Sequence, residues 1–333
     1  LGRRRVAIGI ETSRSPVISA LLTYDFIVFL PINPKALKDY QSAFAVSGVK
    51  DDRTDAMLLE EFARLHGDKL RALEPDTRLT RQLGGLTENR RFPDALAESA
   101  PPSKRRRSKR SALSFTSTTA GGPKKMEARL AAVKQARALT EDAAILIPAR
   151  HLVSARADML KALHSAIADL DKAIAPAFDQ HPDAALFRSL PGAGPALAPR
   201  LLVAFGTRRD RFASASEVAQ FYGLAPIVKQ NGHTKTTHMR SRCPQFARQT
   251  FHENASCVFK AELWAKRYYE DQKGKPEGQP HQDVRALAGK LIRIYYACWK
   301  HRRPYDRQCY LQALEKQRQP TPQQTPNLLP QIR

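Results

Sequence analysis

The chain of 333 residues has no apolar run approaching 18 residues, so nothing in it reads as a membrane-crossing helix. It has four cysteines, Cys243, Cys257, Cys298 and Cys309, and no CxxC pair. That spacing supports neither a zinc ribbon nor a disulfide framework. His238, Cys243, His252 and Cys257 can be assembled into a metal set on paper, but scattered reduced core cysteines are the better reading. The opening "LGRRRVAIGIE" lacks a Met, and no small-residue cleavage site follows a long apolar core. It is read as a chain whose beginning is missing, not as a signal peptide. Acids are scarce: 32 Asp+Glu face 55 Lys+Arg, a formal net charge of +23. A pI of about 10.2 calls for a polyanionic partner, because neutralising phosphates releases condensed counterions.

What is present is enough for two domains with real cores, since 42% of the residues are hydrophobic. "VAIGI" (6–10) reads as a buried strand ending at Glu11, "VISALL" (17–22) as a helix and "FIVFLPI" (26–32) as a second strand. Asn33-Pro34 breaks that strand and leads into a helix over about 35–44. A further helix is expected from about Asp52 to His66, with Ala56, Leu59, Phe62 and Ala63 on its apolar face. Strand, helix, strand, helix is an α/β pattern.

The composition changes near Phe92. Between Pro101 and Lys125 there are eight Lys/Arg and no Asp/Glu among many Ser, Thr, Pro and Gly. This is read as a disordered basic linker, with a nucleic-acid contact at "KRRRSKR" (104–110) as the alternative. Leu160, Leu163, Ile167, Leu170, Ile174 and Ala177 then form an a/d seam suited to a helical hairpin or short coiled coil. A mainly helical segment follows to about Leu314, and the Pro/Gln-rich tail is expected to be disordered.

Three stretches carry candidate chemistry. Glu11 closes a strand, and Asp52 and Asp55 share one helix face at i,i+3. Crowded carboxylates of this kind hold divalent metal, although acids in a first helical turn also serve as cap and dipole partners. "SLPGAGPALAPRLLVAFG" has the form of a helix-hairpin-helix turn, in which Gly192 and Gly194 let backbone amides approach a phosphate. A plain tight turn between helices is the alternative. "GLAPIVKQNGHTKTTHMRSRCPQFARQTFHENA" is read as a basic and polar turn before a helix, whose Lys229, Lys235, Arg240, Arg242 and Arg248 either hold a phosphate or simply sit in solvent. Trp264, Tyr268, Tyr295 and Trp299 suit core packing better than base stacking.

In that order these stretches resemble the transposases of insertion-sequence family 110, with relatives 116 and 902. The resemblance rests on "VAI..ET", "PINPKALKDY", "SGVKDDRTDA", "LTENRR", the Pro-Gly-Ala-Gly turn, "YGLAP...QNG......RCP.FARQTFHE", "WAKRYYE" and "VRALAGKLIRIYYACWKHRRPYD". It covers roughly 1–91 and 180–314, and implies a truncated α/β RNase H-like DEDD domain (1–91) and a mainly α-helical C-terminal transposase domain (181–315). Between them lie the linker (92–125) and a helical or coiled-coil segment (126–180); the tail is 316–333.

The family implies a recombinase that joins DNA strands with a nucleophilic serine and Mg²⁺, guided by a structured bridge RNA. It also implies a homo-oligomer at work on DNA in the prokaryotic cytoplasm. Glu11, Asp52 and Asp55 then become the second, third and fourth acids and the metal ligands. The first acid is expected upstream of Leu1, and the serine position is occupied by Asn231, which has no hydroxyl. Ser241 and Thr234 are nearby hydroxyls outside the motif position. The expectation is therefore a decayed copy, with a non-catalytic nucleic-acid-binding remnant and an RNase H-like nuclease or junction resolvase as the alternatives.

Overall fold

The computed structural model describes residues 5–11, 16–44, 52–99, 142–232, 234–240, 243–273 and 280–318. The chain divides into two compact units, 1–76 and 77–333.

In the first unit β1 (Val6–Ile10) pairs in parallel with β2 (Ile27–Pro31), Val6 opposite Ile27 and Ile10 opposite Pro31. α1 (Pro16–Leu21) makes the crossover, as a parallel pair requires. α2 (Pro34–Phe44) starts where Asn33 Oδ1 accepts from the Lys35 amide at 2.9 Å. α3 (Asp52–His66) follows. Phe29, Ile32 and Leu37, each under a twentieth exposed, form the core with Ile18 and Leu30. Among the described residues the sheet has two strands. The α/β character is present; the larger sheet of an RNase H-like domain is not seen in these elements.

The second unit is helical. α4 (Arg78–Ser99) packs on α5 (Ala143–Asp179), which begins where Asp142 accepts from the Ala144 amide. Thr80 meets His181 near one end of the pair and Arg90 meets Asp171 further along. The two helices are therefore antiparallel. Ile174 and Ala177 of the a/d seam are buried, while Leu160, Leu163, Ile167 and Leu170 are half-buried. α4 runs unbroken through residue 91, where the sequence suggested a change of character, and groups with the second unit. Residues 100–141, which include most of the basic segment, lie outside the described set.

α6 (Ala184–Ser189), the Pro-Gly-Ala-Gly turn and α7 (Leu197–Phe205) form the centre of the C-terminal core. α8 (Ala215–Phe221) is capped by Ser214, whose Oγ accepts from the Glu217 amide at 3.2 Å. Next comes an antiparallel hairpin of β3 (Pro226–Asn231) and β4 (Thr234–Met239). The sequence had suggested a turn leading into a helix here, so the strand pair is a correction. α9 (Gln245–Ala261), α10 (Leu263–Lys273), α11 (Pro280–His301) and α12 (Arg307–Arg318) complete the unit. α12 carries helix past residue 315, where the tail was expected to begin.

Phe187, Leu201, Phe205, Phe251, Leu291, Tyr295 and Trp299 are almost wholly buried. Phe205 packs edge-on against Phe251 at 6.0 Å between ring centres and tilted against Trp299 at 5.5 Å. Rings at this separation gain attraction beyond their burial. Trp299 and Tyr295 thus belong to the core, the role expected of them over base stacking.

Candidate functional site

Glu11 follows β1 directly and is exposed at a bend. α3 lies against β1, and Gly9 explains how closely: a Cβ there would come within 2.9 Å of the Leu59 carbonyl oxygen. The missing side chain lets the helix backbone approach the strand. Asp55 sits half-buried one turn into that helix. Asp52 is its first residue, and its side chain lies outside the described set. Among the described residues no three His, Cys, Asp or Glu side chains converge as a metal site. The donors that are described, two carboxylates, have the hard oxygen chemistry that Mg²⁺ takes.

In the second unit Gly192 has φ +68°, and a Cβ on it would lie 2.7 Å from Val258 Cγ2 and 3.2 Å from the Val258 amide nitrogen. Its absent side chain serves close packing on α9. Gly194 is exposed with open space around its Cβ position. The amides of Ala193, Gly194, Leu197 and Ala198 donate to carbonyls of the turn itself. Beneath it, Asn254 Nδ2 donates to the Pro191 carbonyl at 3.1 Å. The Tyr295 hydroxyl lies 2.9 Å from that oxygen and 2.6 Å from Asn254 Oδ1. Burial holds the Tyr295 phenol well above its ordinary range, so it remains a donor throughout the working pH range. Nothing in the sequence marked this buried triad. A polar residue on a helical core face was its only local signal.

Asn231 ends β3 on the exposed tip of the hairpin, where Gly232 adopts φ +57°. The register sets Lys229 opposite Thr236 and Lys235 opposite Gln230. The side chains of Lys229 and Lys235, and all of Ser241 and Arg242, lie outside the described residues. Thr234 pairs with Asn231 across the strands.

The base of the hairpin is held by two arginines. Arg248 Nη1 donates to the Arg240 carbonyl at 3.3 Å, and Arg240 Nη1 reaches the Gln220 carbonyl at 3.5 Å. Gly223, at φ +66°, lets Cys243 approach; a Cβ there would be 2.7 Å from its sulfur. Arg248 is therefore half-buried structure, while Arg240 is exposed.

His252 lies one turn beyond Arg248. Burial first, then Arg248 and Arg285, press its pKa below the ordinary value, so it is a neutral core histidine. The zinc set drawn from His238, Cys243, His252 and Cys257 does not assemble among the described residues, from which the His238 side chain is missing. All four cysteines are free, and Cys257 and Cys309 are exposed, unlike the core cysteines expected.

Two family profiles match the chain. One, described as Transposase and of the DEDD IS110 type, covers residues 2–98; the other, described as Transposase IS116/IS110/IS902 family, covers 184–270. Both profiles describe transposases, and both relatives come from insertion sequences. A protein named as a transposase of the IS117 mini-circle in Streptomyces coelicolor is 29% identical over 269 residues, spanning 68% of this chain and 65% of that protein. The 42 kDa protein of insertion element IS900 from Mycobacterium paratuberculosis is 30% identical over 160 residues, spanning 46% of this chain and 39% of its own length. The chain thus spans less than two thirds of either relative. The first profile holds Glu11, Asp52 and Asp55; the second holds the glycine turn and the hairpin.

Proposed function

We propose that the chain is a DNA transposase-type recombinase of a mobile insertion sequence, acting on DNA in the cytoplasm. The observation that carries this reading is the order of the two matches: an acid-bearing DEDD segment precedes a transposase segment along one chain. The +23 charge supports DNA and a structured guide RNA as partners. Exposed Ile147, Leu152 and Met159 along α5 support a second copy of the chain as another.

In this reading Glu11, Asp52 and Asp55 hold Mg²⁺, which when bound activates an oxygen nucleophile and stabilises the leaving oxygen of a phosphodiester. The protein's part is to bring the acids together by seating α3 on Gly9 of β1. The C-terminal unit meets DNA through Lys229, Lys235, Arg240 and Arg242, with Arg248 fixing the base of the hairpin, and at the exposed Gly194, while Gly192 is taken up by packing rather than by a phosphate.

Asn231 favours a second reading for present activity. At the position that resemblance gives to the nucleophile, an amide has no hydroxyl to deprotonate and forms no phosphoserine link. The chain then binds nucleic acid without strand transfer. A denaturing-gel assay for a covalent protein–DNA adduct separates the readings, using the full chain with family-type donor DNA, guide RNA and Mg²⁺. No adduct with DNA binding intact is the result expected from Asn231. An adduct means that another nucleophile works. Metal-dependent nicking without an adduct points to an RNase H-like nuclease, and failure to bind DNA removes both DNA readings.

A further inference from the structure

Two basic loops of the C-terminal unit meet on one edge. One is "GTRRDRF" (206–212) after α7, and the other is "KHRRPYD" (300–306) between α11 and α12. Buried Trp299 joins them: its indole Nε1 donates to the Gly206 carbonyl at 2.7 Å, and the Arg209 guanidinium lies 5.1 Å over its ring. Lys300 Nζ donates to the Arg209 carbonyl, also at 2.7 Å. Arg208 is ion-paired with Asp210 and Arg209 with Asp183, so the first loop balances much of its own charge. The second does not. Arg302 and Arg303 are exposed, and their side chains have no ion-pair or hydrogen-bond partner among the described residues.

Arg302 is also the sole non-glycine residue with positive φ among the described residues, at 52°. Its amide bonds to the Trp299 carbonyl at 3.3 Å, and the Arg303 amide bonds to the Cys298 carbonyl at 3.0 Å. This pair of bonds is the Schellman termination of α11, and Arg302 occupies the position where glycine is usual. A side chain there strains the backbone. The chain carries that strain at a residue whose guanidinium makes no described internal contact, and strain kept without a local return is a mark of function.

We propose that Lys300, Arg302 and Arg303 form a second DNA-backbone contact surface, separate in sequence from the hairpin and the glycine turn. The proposal rests on the reading of the chain as a DNA-binding transposase-type protein. Its partner is duplex DNA: the ring at the heart of this edge, Trp299, is wholly buried, which leaves it unable to stack on the bases of a single strand. Arginines of this kind meet phosphates and set position rather than sequence.

The test compares the full chain with Arg302→Gly, Arg302→Lys and the double variant Arg302→Gly/Arg303→Ser. Affinity for a short mixed-sequence DNA duplex is measured across a salt series, and each protein is melted. Arg302→Gly is expected to melt at the same temperature or higher, because glycine relieves the left-handed backbone, while binding DNA several-fold more weakly. The double variant is expected to lower the slope of log affinity against log salt by about two, one lost phosphate contact each being worth about 0.9. Arg302→Lys is expected to keep most of the affinity and slope.

Unchanged affinity and slope in the Gly and double variants, with Lys229→Ser/Lys235→Ser weakened, would overturn this surface and leave the DNA-binding reading standing. No duplex binding by the unaltered chain would remove that reading and the surface with it. Weakening toward RNA but not DNA would also overturn it.

Discussion

The Tyr295 hydroxyl and Asn254 Oδ1 lie 2.6 Å apart, and both side chains reach the carbonyl of Pro191. Three distant segments, α9, α11 and the glycine turn, thereby depend on one buried polar triad. Tyr295→Phe keeps the ring and removes the hydroxyl, leaving Asn254 Oδ1 without that donor in a site where Asn254 and Tyr295 are both fully buried. The expected loss is about 1–3 kcal/mol of stability, read by thermal or chemical denaturation. A variant as stable as the parent would show that the triad contributes nothing net.

The two glycines of the turn separate by the same logic. Gly192→Ala forces a side chain into a positive-φ residue and against Val258, and is expected to cost about 2 kcal/mol or more. Gly194→Ala places its methyl in open space and is expected to be neutral or slightly stabilising, by about 0.5 kcal/mol. Equal losses in the two melts would remove the packing role assigned to Gly192.

Much of this was legible from residue spacing. The apolar runs at 6–10 and 26–32 and the helix after Asp52 stand close to where they were expected, but β1, read as a buried strand, has Val6 and Ala7 exposed and its other residues half-buried. The β3–β4 hairpin was not legible. In "TKTTHM" the threonines fall on both faces, so no apolar-polar alternation announces a strand, and the backbone register carries the pairing. Contacts across long sequence separations were equally silent. Nothing near Trp299 indicates that its indole binds the carbonyl of Gly206, and nothing near Gly9 indicates Leu59. The candidate acids were visible as a pattern, but the seating of α3 on β1 at Gly9 depends on tertiary packing that one sequence does not spell out.

His252 gives a pH dependence with a definite sign. Its folded pKa lies below its ordinary value of about 6.5, through burial and then the neighbouring Arg248 and Arg285. Well above that pH both states are neutral and His252 contributes nothing. As pH falls through about 6.5 the unfolded chain takes up the proton first, so stability falls until the folded pKa is reached. His252→Gln removes this contribution. Denaturation at pH 7.5 and at pH 5.5, about one unit either side of the ordinary value, is expected to show a larger acid loss for the parent than for the variant. Parallel losses would mean that His252 titrates normally.

Gly9 and Asp55 test whether the seat of α3 and the candidate metal site are linked but distinct. Gly9→Ala sets a methyl 2.9 Å from the Leu59 carbonyl and 3.1 Å from Ile32 Cδ1, so α3 must move off β1. The expected result is a loss of about 1–3 kcal/mol in the first unit, in the range of overpacked sites, together with weaker Mg²⁺ binding. Asp55→Asn leaves that contact intact and removes one negative oxygen donor, and Asp52→Ala removes another. Both are expected to weaken Mg²⁺ binding, measured by calorimetry, with little change in DNA affinity and, for Asp55→Asn, little change in melting temperature. If Mg²⁺ binding survives both acid variants, the acids are cap and dipole partners of α3, and the metal reading of this unit falls. If only Gly9→Ala weakens it, the metal is bound elsewhere on a face that depends on the strand–helix seat.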